Sequence, residues 1–268
     1  MTPFAMGRLP NNEKLRAAWN EVRKFALAPG ARDDSTIIQP VGYLMDQKQL
    51  PSCVGKSWQG RLNGLLGIDI SAVNLWIESR SYDGSLLDSS AGTYAESAIQ
   101  ILLENGWTAR VNAYEDSLDP SDPTLTELPS LAELMSGDDN RMASAIDHQT
   151  ITGSDDDIHF SILQALREKD SKGQFVNGIS FGTGVFAKFF NPPADTVLDE
   201  RYLSPYGDQG GHEQGLVGWS KERQAYLIQG SWDIWTHCYI NDVIYPGCCL
   251  VSRAVVEHAW AVDKMRVR

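Results

Sequence analysis

The residues with the clearest chemical potential lie in the run Asp46-Gln47-Lys48-Gln49-Leu50-Pro51-Ser52-Cys53-Val54-Gly55. It reads as a loop entering the first turn of a helix, with a cysteine at the turn. A thiol there feels the positive end of the helix dipole, which stabilises thiolate and activates a nucleophile. Pro51 suits helix entry, and Ser52 offers a hydroxyl to the orphan amides. Gln47 stands upstream, where a loop folding back would aim its amide at an oxyanion forming beside the sulfur. A cysteine nucleophile needs a base, and five histidines are available. His148 and His159 sit in or beside polar helix-start sequence and read as solvated. His258 falls in a late amphipathic segment and reads as packed or at the surface, and His237 precedes Cys238 in a strand and reads as structural. His212 follows Gly210-Gly211 and precedes the strand Gly215-Leu216-Val217-Gly218-Trp219. A histidine leaving a glycine turn at a strand start is well placed to face a cleft.

The elements that must carry these groups change character along the chain. Val54, Trp58, Leu62, Leu65 and Leu66 recur at helical spacing, so the Cys53 helix runs to about Gly67. A short helix over 71–80 follows, with Val73, Trp76 and Ile77 inward. Another carries Tyr94, Ala95, Ala98, Ile99, Leu102 and Leu103 and closes at Asn105-Gly106. Residues 1–35 read as an arm containing a helix started near Asn12, with Leu15, Trp19, Val22 and Ala26 on one face. Residues 115–139 read as a solvated acidic connection with one short helix near 131–135. The second half opens with Ser154 and three aspartates, a strong helix start. Strand candidates follow at 174–181, 215–219, 225–229, 237–240 and 255–262. A helical half and a strand-rich half make an α+β chain, with a site expected at their interface.

Composition narrows the functional classes. The chain has 268 residues and a net charge of −12, which argues against nucleic acid as a partner. No apolar run reaches the ~20 residues of a membrane span, and the start lacks a signal-peptide pattern. These features point to a cytoplasmic protein. The four cysteines, Cys53, Cys238, Cys248 and Cys249, form no zinc pattern and no disulfide framework. No metal or organic cofactor is indicated.

Gln47 with Ser52-Cys53, then Gly211-His212, then Leu227-Ile228-Gln229-Gly230-Ser231-Trp232 resembles the papain-like cysteine peptidases. The likeness is strongest to the bacterial and bacteriophage branch and covers roughly residues 36–245. Cys53 and His212 are 212 − 53 = 159 residues apart, beyond the ~130–150 of papain; the 115–139 insertion would absorb the difference. The resemblance implies a two-lobed α+β fold, with a helical lobe over 36–140 and a partial-barrel lobe over 141–268. It implies Cys53 as nucleophile, His212 as base and Gln47 as oxyanion donor. Gly92 would meet an extended peptide, and Trp232 would cover the third catalytic position. Peptide or protein would be the substrate, and the 1–35 arm a pro-segment or a contact for an assembly partner. Three departures stand out. The orienting asparagine is replaced by Gly230, the glycine after Ser-Trp by Asp233, and the tryptophan after the cysteine by Val54. Gln229, Asp233 or a water would have to orient the histidine instead. The alternative is a papain-like scaffold with weakened or lost catalysis, serving binding or structure, for instance in a phage particle. A Cys–His transferase or amidase is a third option.

Overall fold

A computed structural model describes residues 33–107, 121, 123–127 and 147–267. Residues 1–32 of the 1–35 arm, most of the 115–139 connection and its 131–135 helix lie outside the described residues.

Helix α1 spans Cys53–Leu66 and ends on Gly67, whose left-handed conformation (φ 69°) lets its N–H reach the Asn63 carbonyl. The expected apolar stripe is present, with Val54, Trp58 and Leu62 fully buried. Each contributes roughly 1.5–3 kcal/mol relative to exposure. The first ten residues are in fact buried on every side, Lys56, Ser57, Gln59 and Arg61 included, because the helix is sandwiched between its neighbours and a sheet. Ser52 occupies the cap position but makes no capping hydrogen bond, contrary to expectation; its φ/ψ of −101°/20° is not the extended cap conformation.

Helices α2 (Ala72–Asp83) and α3 (Ala95–Glu104) pack beside α1. Ser71 caps α2 by accepting from the Asn74 N–H. The helix runs to Asp83 rather than stopping near Arg80, and Gly84 (φ 76°) terminates it. The extension matters, because Asp83 accepts hydrogen bonds from the Thr93 and Ser97 hydroxyls and the Tyr94 N–H. That carboxylate serves as the cap that Tyr94 itself cannot supply to α3. It thereby fixes the chain just after Gly92.

An eight-stranded sheet forms among the described residues, seven of its strands coming from the second half. Its strands are β1 (Ile37–Ile38), β2 (Asp147–Thr150), β3 (Asn177–Gly184), β4 (Val197–Leu198), β5 (Gly211–Ser220), β6 (Ala225–Gln229), β9 (Cys248–Ser252) and β10 (Ala261–Arg266). The order is β2-β10-β3-β5-β6-β9-β4, with β1 also on β5. Only β4 with β9 is parallel among these pairs. A separate hairpin joins β7 (His237–Ile240) to β8 (Val243–Pro246). Helix α4 (Asp155–Arg167) begins as expected, with the Ser154 hydroxyl accepting from the Asp157 N–H. The expected 255–262 strand is instead helix α5 (Arg253–Glu257) followed by β10.

The two halves exchange their ends. Ile37 and Ile38 pair with Trp219 and Gly218 in the sheet. Met265 and Val267 pack into the core of α1 and α3. The seam between the halves holds a buried arginine. Arg61 donates to Gln39 Oε1 and to the Pro40 carbonyl, and burial pushes its pKa down to about 10. Gln39 in turn donates to the carbonyls of Leu166 and Asn177 at 3.1 Å.

Candidate active site

Helix α1 places Cys53 at its first residue, fully buried. Strand β5 places His212 at its second residue, also fully buried. How these approach follows from the α1–β5 contact. A Cβ at Gly215 would lie 2.9 Å from Arg61 Cδ and 3.6 Å from the Ser57 carbonyl oxygen. A Cβ at Gly178, beside β5 on β3, would meet Trp58, Arg61 and Leu65 at 3.4–3.5 Å. Helix and strand therefore run in the same sense. Ser57 is one helical turn beyond Cys53, and Gly215 is three residues beyond His212. Cys53 and His212 thus each precede this contact along their own element.

Gln47 is buried and firmly held. Its backbone N–H donates to the Ser231 carbonyl at 2.7 Å. Its side-chain N–H donates to the Leu50 carbonyl at 2.9 Å, and its Oε1 accepts from the Ser231 hydroxyl. One amide hydrogen is thus engaged within the loop. The Gln47 loop is also stitched to the tryptophan segment, through an Asp46–Trp232 bridge and the Asp233 N–H donating to the Met45 carbonyl at 2.6 Å.

The His212 ring is held differently. Trp232 stacks on it at 4.4 Å with planes 9° apart, and Phe189 tilts against it at 5.7 Å. Neither ring nitrogen has a hydrogen-bond partner among the described residues. Burial pushes the imidazole pKa down to about 3 by disfavouring the charged ring. Thr183, directly opposite on β3, also buries its hydroxyl without a partner among the described residues.

The third position is filled from elsewhere. A Cβ at Gly230 would lie 2.1 Å from Trp235 Nε1 and 2.7 Å from its Cε2. The expected stand-ins do other work. Gln229 donates to the carbonyls of Gly42 and Tyr43 at 3.0 and 2.9 Å, and Asp233 is exposed at φ 51°. Gly92 is buried ahead of the Asp83-bound turn.

The other histidines are placed as follows. His148 and His159 are buried, not solvated. His148 Nε2 lies 3.1 Å from Asp263, which also accepts from Thr150. His159 Nδ1 lies 2.6 Å from the Tyr226 hydroxyl, and burial pushes its pKa down to about 4. His237 stays with its strand against Tyr239, and His258 is exposed at the end of α5. Burial raises the other thiols: Cys238 to about 12, Cys248 and Cys249 upward as well.

No family model matches the sequence, and no curated protein matches it significantly. The fold does have solved counterparts. Xylellain, a cysteine protease from Xylella fastidiosa, superposes with a TM-score of 0.70 at 14% identity, covering 99% of this chain and 96% of that one. Procathepsin B S9 from Trypanosoma congolense gives 0.63 at 14% identity, with 98% and 86% covered. The bromelain protease from Ananas comosus, in complex with the E64 inhibitor, gives 0.51 at 10% identity, with 84% and 93% covered.

Proposed function

We propose that this chain, which shares the fold of the papain-like cysteine proteases, a helical part and a sheet joined along α1 and β5, is a thiol peptidase in which Cys53 is the nucleophile and His212 the base. The observation that supports this reading is the packing of α1 on β5, with Cys53 ahead of that contact on the helix and His212 ahead of it on the strand. Cys53 Sγ attacks the scissile carbonyl while His212 takes the thiol proton. The carbonyl oxygen becomes an oxyanion that the Cys53 N–H and the Gln47 amide receive. Collapse breaks the C–N bond, and His212 returns the proton to the leaving amine. Water, deprotonated by the same imidazole, then hydrolyses the thioester. Gly92, held by the Asp83 turn, would lie beside the bound peptide.

A second reading, a scaffold with weakened catalysis, is favoured by one observation: Gly230 leaves the His212 ring without a hydrogen-bonded orienter among the described residues. The readings separate on the rate at which E64 captures Cys53 and on hydrolysis of denatured casein. A peptidase shows both, abolished in Cys53→Ala. A scaffold shows casein intact and Cys53 no faster with E64 than a free cysteine.

A further inference from the structure

The His212 ring makes no hydrogen bond among the described residues, yet it is packed into place. Trp232 stacks on one face and Phe189 leans on the ring at an angle. Trp235 braces both, 4.9 Å from Phe189 and edge-on to Trp232 at 5.8 Å. The same indole occupies the volume beside Gly230, where a Cβ would overlap its nitrogen. That nitrogen is buried and has no hydrogen-bond partner among the described residues. The chain gets it there by reversing at Asp233, in the left-handed region at φ 51°. Glycine at 230 is the condition for the indole to enter.

We infer that Trp235 is a positioning residue for His212, acting through an aromatic wedge with Trp232 and Phe189 in the space where a side chain at 230 would otherwise orient the ring. The inference rests on Cys53 and His212 being the reacting pair. It has a definite consequence: residues 230 and 235 compete for one volume. An amide at 230 and an indole at 235 exclude each other, so Gly230→Asn alone cannot supply the missing orienter. It gains a place only when Trp235 is shortened as well. The wedge fixes the plane of the ring by shape, whereas an amide would also select the tautomer.

The test uses the full chain as wild type, Trp235→Ala, Trp235→Phe, Gly230→Asn and the double variant Gly230→Asn/Trp235→Ala. Each is measured for melting temperature and for E64 capture by Cys53, resolved into binding and inactivation constants. Trp235→Ala is expected to lower the inactivation constant about tenfold or more with binding nearly unchanged, as misplacement of a reacting group does. Trp235→Phe, which keeps a ring, should recover most of it. Gly230→Asn should lose both melting temperature and rate, and the double variant should regain both relative to that single change. A wild-type inactivation constant in Trp235→Ala, or single losses that merely add in the double variant, would overturn the inference. If wild-type Cys53 takes no E64, the peptidase reading fails separately. The wedge is then decided by the melting cycle and the His212 ring ¹⁵N resonances. Non-additive melting with a resonance moved by Trp235→Ala upholds it, and additive melting or an unmoved resonance overturns it.

Discussion

On the helical wall of the site, Gln47 is tied by hydrogen bonds from its backbone and both ends of its amide. On the sheet wall, the His212 ring makes no hydrogen bond among the described residues and is wedged among Trp232, Phe189 and the indole of Trp235 behind them. The first wall depends on single polar atoms with fixed directions. The second depends on volume and shape. Deleting one oxygen should therefore hurt the Gln47 side, while the His212 side should tolerate polar changes and fail when a ring is removed.

The largest effect should come from the groups proposed to react. His212→Ala is expected to lower casein hydrolysis about 10²–10⁴-fold, with melting temperature reporting whether the fold survives. Next, Gln47→Ala should cost about 2.7–4 kcal/mol of transition-state stabilisation, read as a fall in kcat rather than a rise in KM. If Gln47→Ala changes KM alone, the amide serves substrate binding and the helical wall has no oxyanion role.

Acid sharpens the comparison from the other side. His212 and His159 have pKa values depressed to about 3 and about 4 in the folded chain. Unfolded histidines titrate near ~6.5. Between those values the unfolded state binds protons that the native state refuses. Stability is therefore complete above about pH 6.5 and falls with acidification toward pH 4 and then 3, by up to ~1.4 kcal/mol per pH unit per histidine. Urea unfolding between pH 7 and 4 measures the slope. His159→Gln should flatten part of it, and a slope unchanged in that variant would mean His159 does not titrate as described.

Two smaller changes address the hydrogen-bonded side. Asp83→Ala strips the shared acceptor from Thr93, Tyr94 and Ser97 and should cost about 1–3 kcal/mol of stability in urea. Ser231→Ala removes the donor to Gln47 Oε1 and should cost about 1 kcal/mol, with a modest fall in kcat. A larger loss from Ser231→Ala than from Gln47→Ala would reverse the assignment of roles on that wall.

The contrast between local and distant contacts also separates what the sequence makes legible from what it hides. The α1 helix, the Ser154 cap and the strand over 225–229 follow from local rules of periodicity and capping, and they stand where expected. Cys53 and His212 are legible as candidates because each sits at an element boundary marked by proline or glycine. The short strands β1, β2 and β4 carry no pattern of their own and exist only through partners distant in sequence. His148 and His159 read as solvated because their neighbours along the chain are polar, while Asp263 and Tyr226, which pair with them in the interior, come from far away. Trp235 is hidden for a similar reason. Its sequence gives a tryptophan after a turn; only the fold of 230–235 shows that it fills the volume of an absent side chain. The one signal available is a glycine where an orienting residue belongs, with an extra aromatic close behind it.

The most direct measurement is E64 labelling of the native chain followed by peptide mapping, in wild type and in His212→Ala. Cys53 is expected to be modified while Cys238, Cys248 and Cys249, whose pKa values burial raises, stay unmodified, and the Cys53 rate is expected to collapse in His212→Ala. A Cys53 rate indifferent to the loss of His212 would contradict the proposed pairing of thiol and imidazole.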